Sequence, residues 1–180
     1  MRAPRSLFYL GLLGAILLTI AFVVRSGLLA RKDPGRPINT AMREAMDVDK
    51  QRLGTEDARI IAEKYGTARK LPSGLLYVER APGTGTDVPH RGSEVIAHYE
   101  GRLLDGTVFD SSYRRKAPLT FRVGVREVID GWDEAFLSMK KGEKRTLIVP
   151  YWLAYGVTGR PPTIPPRATL VFEVELIDFQ

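Results

Sequence analysis

The chain has 180 residues, of which 44% are hydrophobic, and its formal net charge is +6. This length allows one domain with extensions. The chain has no cysteine, which excludes thiol chemistry but leaves the cellular compartment open.

The positive charge is concentrated near the N-terminus. Residues 1–36 contain six basic residues and one acidic residue, whereas the other 144 residues contain 21 basic and 20 acidic ones. A basic nucleic-acid-binding face on the globular part is therefore not supported. We expect no nucleic-acid partner.

Residues 6–24 form an uncharged run flanked by Arg2 and Arg5 on one side and Arg25 on the other. As a helix this run would span about 28 Å, close to the ~30 Å hydrocarbon core of a bilayer. We predict a signal anchor in residues 1–30 that crosses the cell membrane once. The alternatives are a cleaved signal peptide, which would give a secreted protein, and a buried soluble helix.

The flanking charges do not fix the orientation of the anchor, because basic residues lie on both sides of it. Export of the C-terminal part is the more common outcome for a short basic N-terminus. We therefore expect the globular domain on the extracytoplasmic, or periplasmic, side.

Residues 31–70 are predicted to be a linker followed by a helical spacer. Pro34, Gly35 and Pro37 are typical of a linker. Thr55 is a suitable N-cap for a helix that ends near Gly66. Its apolar stripe consists of Ala58, Ile61, Ala62 and Tyr65. We interpret this helix as a short docking or spacer element, with dimerisation as the alternative.

From Leu75 onward the hydrophobic period changes to two, as in antiparallel strands with one buried face. Asp105-Gly106 predicts a hairpin turn just before Phe109. The predicted strands cover residues 75–78, 95–99, 119–123, 146–149 and 170–176.

One segment breaks this pattern and predicts a short helix. Asp130 is a suitable N-cap, and Asp133 could answer it as in a capping box. The apolar positions i, i+3, i+4 and i+7 are Trp132, Ala135, Phe136 and Met139. We therefore predict an α+β fold in which an antiparallel half-barrel wraps around one short helix, with Trp132 as the floor of a pocket.

Spaced aromatic residues accompany these elements: Tyr99, Phe109, Phe121, Trp132, Tyr155 and Phe172. They could form plain core or converge on one apolar pocket. We found no metal-binding motif and no nucleophile elbow beside them, and we expect no metal and no cofactor. Such a pocket suits a reaction that breaks no covalent bond.

Several segments of residues 71–180 resemble the FKBP-type peptidyl-prolyl cis-trans isomerase family. They are 95–101 (VIAHYEG), 104–112 (LDGTVFDSS), 127–132 (EVIDGW), 153–156 (LAYG) and 164–176 (IPPRATLVFEVEL). The lead-in 71–77 (LPSGLLY) is similar to that of bacterial exported members. The resemblance implies an isomerase domain at 71–180 that acts on proline-containing protein substrates.

The resemblance also implies the residues of the site. The implied catalytic set is Tyr99, Phe109, Asp110, Ile129, Trp132, Tyr155 and Phe172. The predicted substrate-binding set is Leu119, Phe121, Glu127, Val128, Arg160 and Ile164, in which Phe121 comes from the spaced aromatics and the others from the resemblance.

The resemblance implies that these residues position the substrate and take no part in covalent chemistry. The aromatic and aliphatic walls hold the proline ring. The Ile129 N–H and the Tyr155 hydroxyl offer hydrogen bonds to substrate carbonyls. Asp110 lies by the carbonyl carbon or orients Tyr155, together with Arg115.

Three positions depart from the family pattern, namely Leu119, Arg160 and Thr163. Macrolide immunosuppressant-type ligands are among the implied partners, and the departures leave their affinity and the substrate preference open. The alternative function is a client-binding or chaperone module with the same fold and little isomerase activity.

The predicted anchor leads to a test on the intact chain. We expect the full chain to partition into the detergent phase of a phase-separation assay, with its N-terminus verified by mass spectrometry. The apolar run at residues 6–24 would cause this partitioning. An intact chain that remains in the aqueous phase would contradict the anchor.

Overall fold

The computed structural model describes residues 52–180. The predicted signal anchor and the linker up to residue 51 lie outside the described residues. Among residues 52–180, no helix is both long and apolar enough to cross a bilayer.

The described part of the chain contains seven strands, three α-helices and one 3₁₀ turn. The strands are β1 (Arg69–Lys70), β2 (Leu76–Ala81), β3 (Glu94–Leu103), β4 (Val108–Ser111), β5 (Leu119–Arg122), β6 (Lys144–Val149) and β7 (Leu170–Phe179). The helices are α1 (Thr55–Tyr65), α2 (Ser112–Arg115) and α3 (Asp130–Phe136), and the 3₁₀ turn is Tyr151–Leu153.

The strands form one antiparallel sheet in the order β1-β2-β6-β7-β3-β4, and β5 also pairs with β3. The ten-residue β3 pairs with β7 along one edge and with β4 and β5 along the other. Register shifts interrupt three of these pairings. Such irregularities bend a sheet, and the curved sheet encloses α3.

The predicted fold class is confirmed for the described residues, because an antiparallel sheet wraps around a short helix. The predicted helix positions Trp132, Ala135, Phe136 and Met139 are all buried. They join one core with inward residues of the strands, such as Val95, Leu147 and Leu176. The Asp105-Gly106 turn is also present, with Gly106 at φ 94° and its N–H donating to the Leu103 carbonyl at 3.0 Å.

The predicted cap of α3 is wrong. Asp130 lies inside the helix, and Ile129 precedes it as the N-cap without a side-chain hydrogen bond. The Asp133 carboxylate accepts instead from the backbone N–H groups of Gly124 and Arg126, both at 2.8 Å. Asp133 therefore fixes the loop between β5 and α3, which carries part of the site described below.

The predicted cap of α1 is also wrong, since Gly54 is the N-cap and Thr55 is the first helical residue. The helix nevertheless docks on the domain. Ile61 is buried, the Thr169 hydroxyl donates to Asp57 at 2.7 Å, and Lys64 Nζ donates to the Leu104 carbonyl at 3.4 Å. These contacts agree with the interpretation of the helix as a docking element. Dimerisation stays a prediction.

A buried ion pair joins the chain after α3 to β6. Arg145 Nε donates to Glu143 Oε1 at 2.5 Å, and both side chains are less than a tenth exposed. Arg145 also donates to the hydroxyl and the carbonyl of Ser138 and lies over the Tyr77 ring. Breaking such a pair costs about 3–5 kcal/mol because one buried charge is left alone. The pair therefore holds the end of α3 in place.

We predict that Asp133→Ala lowers the free energy of unfolding by about 2–4 kcal/mol, because two loop N–H groups lose a charged acceptor. Asp130→Ala is the control on the same helix and should cost less than about 1 kcal/mol, the usual value of an exposed acid in a first turn. Urea denaturation followed by tryptophan fluorescence measures both. Equal costs would contradict the assignment of Asp133 to the loop.

Candidate functional site

A cavity of about 210 Å³ opens where the start of α3 meets the concave face of the sheet. Its lining residues are Tyr99, Phe109, Asp110, Leu119, Glu127, Val128, Ile129, Trp132, Tyr155, Arg160 and Phe172. This volume lies below the ~300–1,000 Å³ of pockets for drug-sized ligands. The cavity itself therefore suits one small ring or side chain.

Trp132 forms the floor of the cavity and is only 4% exposed. The rings of Tyr99 and Phe172 stand edge to face against it, at centroid distances of 4.9 Å and 5.2 Å. Phe109 continues the wall, edge to face with Phe172 at 5.7 Å. Such contacts add about 0.5–1.5 kcal/mol each beyond burial, so the floor and walls hold one another in place.

Gly101 makes room for two of these rings. It lies on β3 opposite Asp110 and Phe172. A Cβ atom there would lie 2.6 Å from Phe109 and 2.8 Å from Phe172. Sequence reasoning gave Gly101 no role, although a glycine inside a strand often marks a close approach.

Asp110 belongs to a hydrogen-bonded group with Tyr99 and Arg115. The Tyr99 hydroxyl donates to Asp110 Oδ2 at 2.5 Å, Arg115 Nη1 donates to Asp110 Oδ1, and Arg115 Nη2 donates to the Tyr99 oxygen at 2.8 Å. Burial and the bond to Asp110 raise the pKa of Tyr99. The suggested contact of Asp110 with Tyr155 is therefore not present, since Tyr99 takes that position.

Several hydrogen-bond donors at the cavity have no partner among residues 52–180. One is the buried Nε1 of Trp132, and two others stand at the wall. The Tyr155 hydroxyl makes no hydrogen bond there, and only Arg160 lies over its ring, at 5.9 Å. The Ile129 N–H also lacks an acceptor, whereas the Ile129 carbonyl accepts from Trp132 and Asp133. Both donors can therefore bind an incoming carbonyl.

Glu127 at the rim is held by Arg122. Its carboxylate accepts from the Arg122 backbone N–H at 2.8 Å and from Nε at 2.6 Å. The backbone bond, followed by the side-chain bond, lowers the pKa of Glu127. Glu127 thus fixes the turn that carries Val128 and Ile129.

Comparison with known families identifies the family of this chain. The sequence profile of the FKBP-type peptidyl-prolyl cis-trans isomerase family matches residues 85–177. The chain belongs to this family.

Relatives and a solved structure agree with this assignment. FK506-binding protein 4 of Dictyostelium discoideum is 49% identical over 123 residues, covering 67% of this chain and 33% of that protein. Peptidyl-prolyl cis-trans isomerase FKBP15-2 of Arabidopsis thaliana is 46% identical over 116 residues, covering 64% and 69%. The crystal structure of AtFKBP13 matches with a TM-score of 0.60 and 43% identity, covering 63% of this chain and 98% of that one.

The chain thus spans a third of the first of these relatives. Both relatives are eukaryotic. They give no support to the narrower resemblance to bacterial exported FKBP-type proteins.

Two of the thirteen predicted site residues do not line the cavity. Phe121 is buried behind Trp132, with ring centroids 5.7 Å apart. Ile164 is 3% exposed and lies in a neighbouring cleft with Thr163. The other eleven form the lining, and their roles towards a substrate stay predictions.

His98 lies apart from the cavity lining. Its Nδ1 is 2.9 Å from the Ser112 hydroxyl, and its ring stacks on Tyr113 at 4.6 Å. These contacts indicate that His98 has a structural role on β3.

We predict that Gly101→Ala lowers the free energy of unfolding by about 1–3 kcal/mol, the usual cost of overpacking. Overpacking should outweigh the ~0.5–1 kcal/mol by which alanine is intrinsically more stable than glycine inside a strand. Gly54→Ala is the control, because its Cβ would meet no atom within 4 Å. It should cost less than about 1 kcal/mol in urea denaturation, and an equal loss in both variants would contradict the role of Gly101.

Proposed function

We propose that this protein is a peptidyl-prolyl cis-trans isomerase that acts on X-Pro bonds of protein substrates. The observation that carries the proposal is the aromatic cavity over Trp132, with the unpartnered Ile129 N–H and Tyr155 hydroxyl at its wall. Its ~210 Å³ suit a single proline ring. The names of the relatives, among them a peptidyl-prolyl isomerase of Arabidopsis thaliana, support the same activity.

The reaction needs no reactive side chain. Rotation about a prolyl bond must cross a barrier of roughly 18–20 kcal/mol, which takes tens of seconds or longer without catalysis. The transition state is a twisted amide that has lost its resonance. A site that binds this form better than either planar form accelerates the rotation. A thousandfold acceleration requires about 4 kcal/mol of such preference.

The cavity can supply this preference in two ways. Its aromatic walls exclude water, and a dry site favours the twisted amide, which is less polar than the planar one. The Ile129 N–H and the Tyr155 hydroxyl can hold the substrate carbonyls on either side of the rotating bond. Because neither donor has a partner to lose among residues 52–180, binding breaks no internal hydrogen bond.

Asp110 has a positioning role in this proposal. Bonds to Tyr99 and Arg115 fix its carboxylate at the edge of the cavity. There it can face the carbonyl carbon of the rotating amide. The same bonds keep the Tyr99 ring against Trp132, so the group also maintains the shape of the floor.

We also propose that the intact protein is anchored in the membrane with its isomerase domain outside the cytoplasm, where it assists folding. The support is the uncharged run at residues 6–24 between Arg5 and Arg25. The alternative is secretion after cleavage of this run. In the partition assay, the cleaved chain would remain in the aqueous phase and mass spectrometry would show its shortened N-terminus.

Trp132→Leu tests the proposed site, because leucine keeps much of the packing but removes the flat floor. We expect kcat/KM for a prolyl peptide to fall by about tenfold or more, equal to at least about 1.4 kcal/mol of transition-state stabilisation. The protease-coupled assay measures it, with circular dichroism to verify folding.

Trp152→Leu is the matched control for that variant. Trp152 lies outside the cavity lining, and its Nε1 donates to the Ser73 carbonyl at 2.9 Å. We expect it to retain kcat/KM within about twofold. A folded Trp132→Leu variant with near-wild-type activity would show that the cavity is not the site. A wild-type chain that binds prolyl peptides without isomerising them would favour the client-binding alternative.

We predict a flat rate profile between about pH 6 and pH 8. The pKa of Tyr99 is raised above its ordinary value near 10, so its hydroxyl stays neutral in this range. The pKa of Glu127 is lowered below its ordinary value near 4.3, so its carboxyl stays ionised. Histidine would titrate here, but His90 and His98 do not line the cavity.

His98→Asn is the variant that checks this prediction, and it should retain wild-type turnover. A bell-shaped profile, or a hundredfold loss in correctly folded His98→Asn, would indicate proton transfer in the reaction.

A further inference from the structure

Arg160 stands at a branching point of the site. It lines the central cavity and two neighbouring clefts of about 380 Å³, and Tyr155 also lines all three. The first cleft runs past Glu127 and Asp130, and the second past Phe109, Asp110 and Thr163. A chain whose proline occupies the cavity must extend along these clefts, so its neighbouring residues pass close to Arg160.

The charges beside Arg160 are largely neutralised by other partners. Asp110 pairs with Arg115, and Glu127 pairs with Arg122. Arg160 forms no ion pair with any carboxylate of residues 52–180. Asp130 offsets its charge in the first cleft, but the second cleft has no acid other than the paired Asp110. The second cleft therefore carries an uncompensated positive charge.

The backbone of Arg160 is fixed even though its side chain is exposed. Its N–H donates to the Ile164 carbonyl at 2.9 Å, and its carbonyl accepts from Ile164 at 3.0 Å and from Thr163 at 3.2 Å. The guanidinium lies 5.9 Å from the centre of the Tyr155 ring. The fixed backbone keeps this charge at the clefts, so a substrate has only the side chain to order.

We propose that Arg160 is a specificity-determining residue that favours substrates with an acidic side chain next to the proline. The inference rests on the proposed isomerase function. The acidic side chain lies in the second cleft, between Phe109 and the 160–164 turn, and pairs with the Arg160 guanidinium. Exposed ion pairs are worth about 0.2–1 kcal/mol, which corresponds to a preference of about 1.4-fold to fivefold.

The preference should appear in binding rather than in the chemical step. A flanking ion pair is the same in the planar and twisted forms of the bond, so it lowers KM and leaves kcat unchanged. It should also shrink in 1 M salt, where charges are screened within about 3 Å. A purely structural role of Arg160 would give neither behaviour.

The test compares peptides that differ only in the residue beside proline. Two series carry glutamate, alanine or lysine, one directly before proline and one directly after it. Exchange NMR with the full chain in a non-ionic detergent gives KM and kcat for each peptide, and an NMR titration gives Kd. We expect the glutamate peptide to exceed the lysine peptide by about 1.4-fold to fivefold in 1/KM and 1/Kd in at least one series.

Three variants assign that preference to Arg160. Arg160→Gln should bring the glutamate-to-lysine ratio to about one, Arg160→Lys should preserve it, and Arg160→Glu should invert it. Arg167→Gln is the matched control, an exposed arginine nearby that lines none of the three cavities, and it should leave the ratio unchanged. A ratio of one in the wild-type chain in both series, or a ratio that Arg160→Glu leaves unchanged, overturns the proposal.

The alanine peptides separate this inference from the proposed function. If they are not isomerised, the proposed function fails, and the Kd ratio still decides whether Arg160 selects acidic neighbours. If they are isomerised while the glutamate and lysine peptides behave alike, only the inference about Arg160 fails.

Discussion

Trp132 packs edge to face against Tyr99 and Phe172, and the core and the cavity both depend on this contact. Behind the indole, Phe121 and Phe136 fill the space between sheet and helix. In front of it, the same indole is the floor of an open cavity. One side chain thus closes the core and shapes the binding surface.

The polar groups around this floor fall into two kinds. Asp110 and Glu127 form ion pairs with Arg115 and Arg122, and these pairs fix the position of the walls. The Ile129 N–H and the Tyr155 hydroxyl have no partners in the described part of the chain. A site with fixed acids and available donors is suited to holding a polar backbone in one geometry, and this is what the rotation of an amide requires.

Much of this fold could be predicted because hydrophobic periodicity reports which face of an element is buried. Periodicity does not report depth, which is why Phe121 was expected at the site. Leu119 and Phe121 share a face of β5, but Phe121 lies further in, 5.3 Å from Phe136, and Trp132 covers it. The partner of Asp110 depended on the β3–β4 register, which no local pattern determines. Asp133 matched a capping pattern, although the loop N–H groups of the folded chain are its partners.

The most direct test of the central claim uses the two tryptophans of the chain. Fluorotryptophan labelling gives one ¹⁹F resonance for Trp132 in the cavity and one for Trp152 outside it, which Trp152→Phe assigns. Titration with a short prolyl peptide should shift the Trp132 resonance with saturation and leave the Trp152 resonance in place. A shift of Trp152 alone, or no shift of either resonance while the peptide is isomerised, would contradict the claim that proline binds on the indole of Trp132.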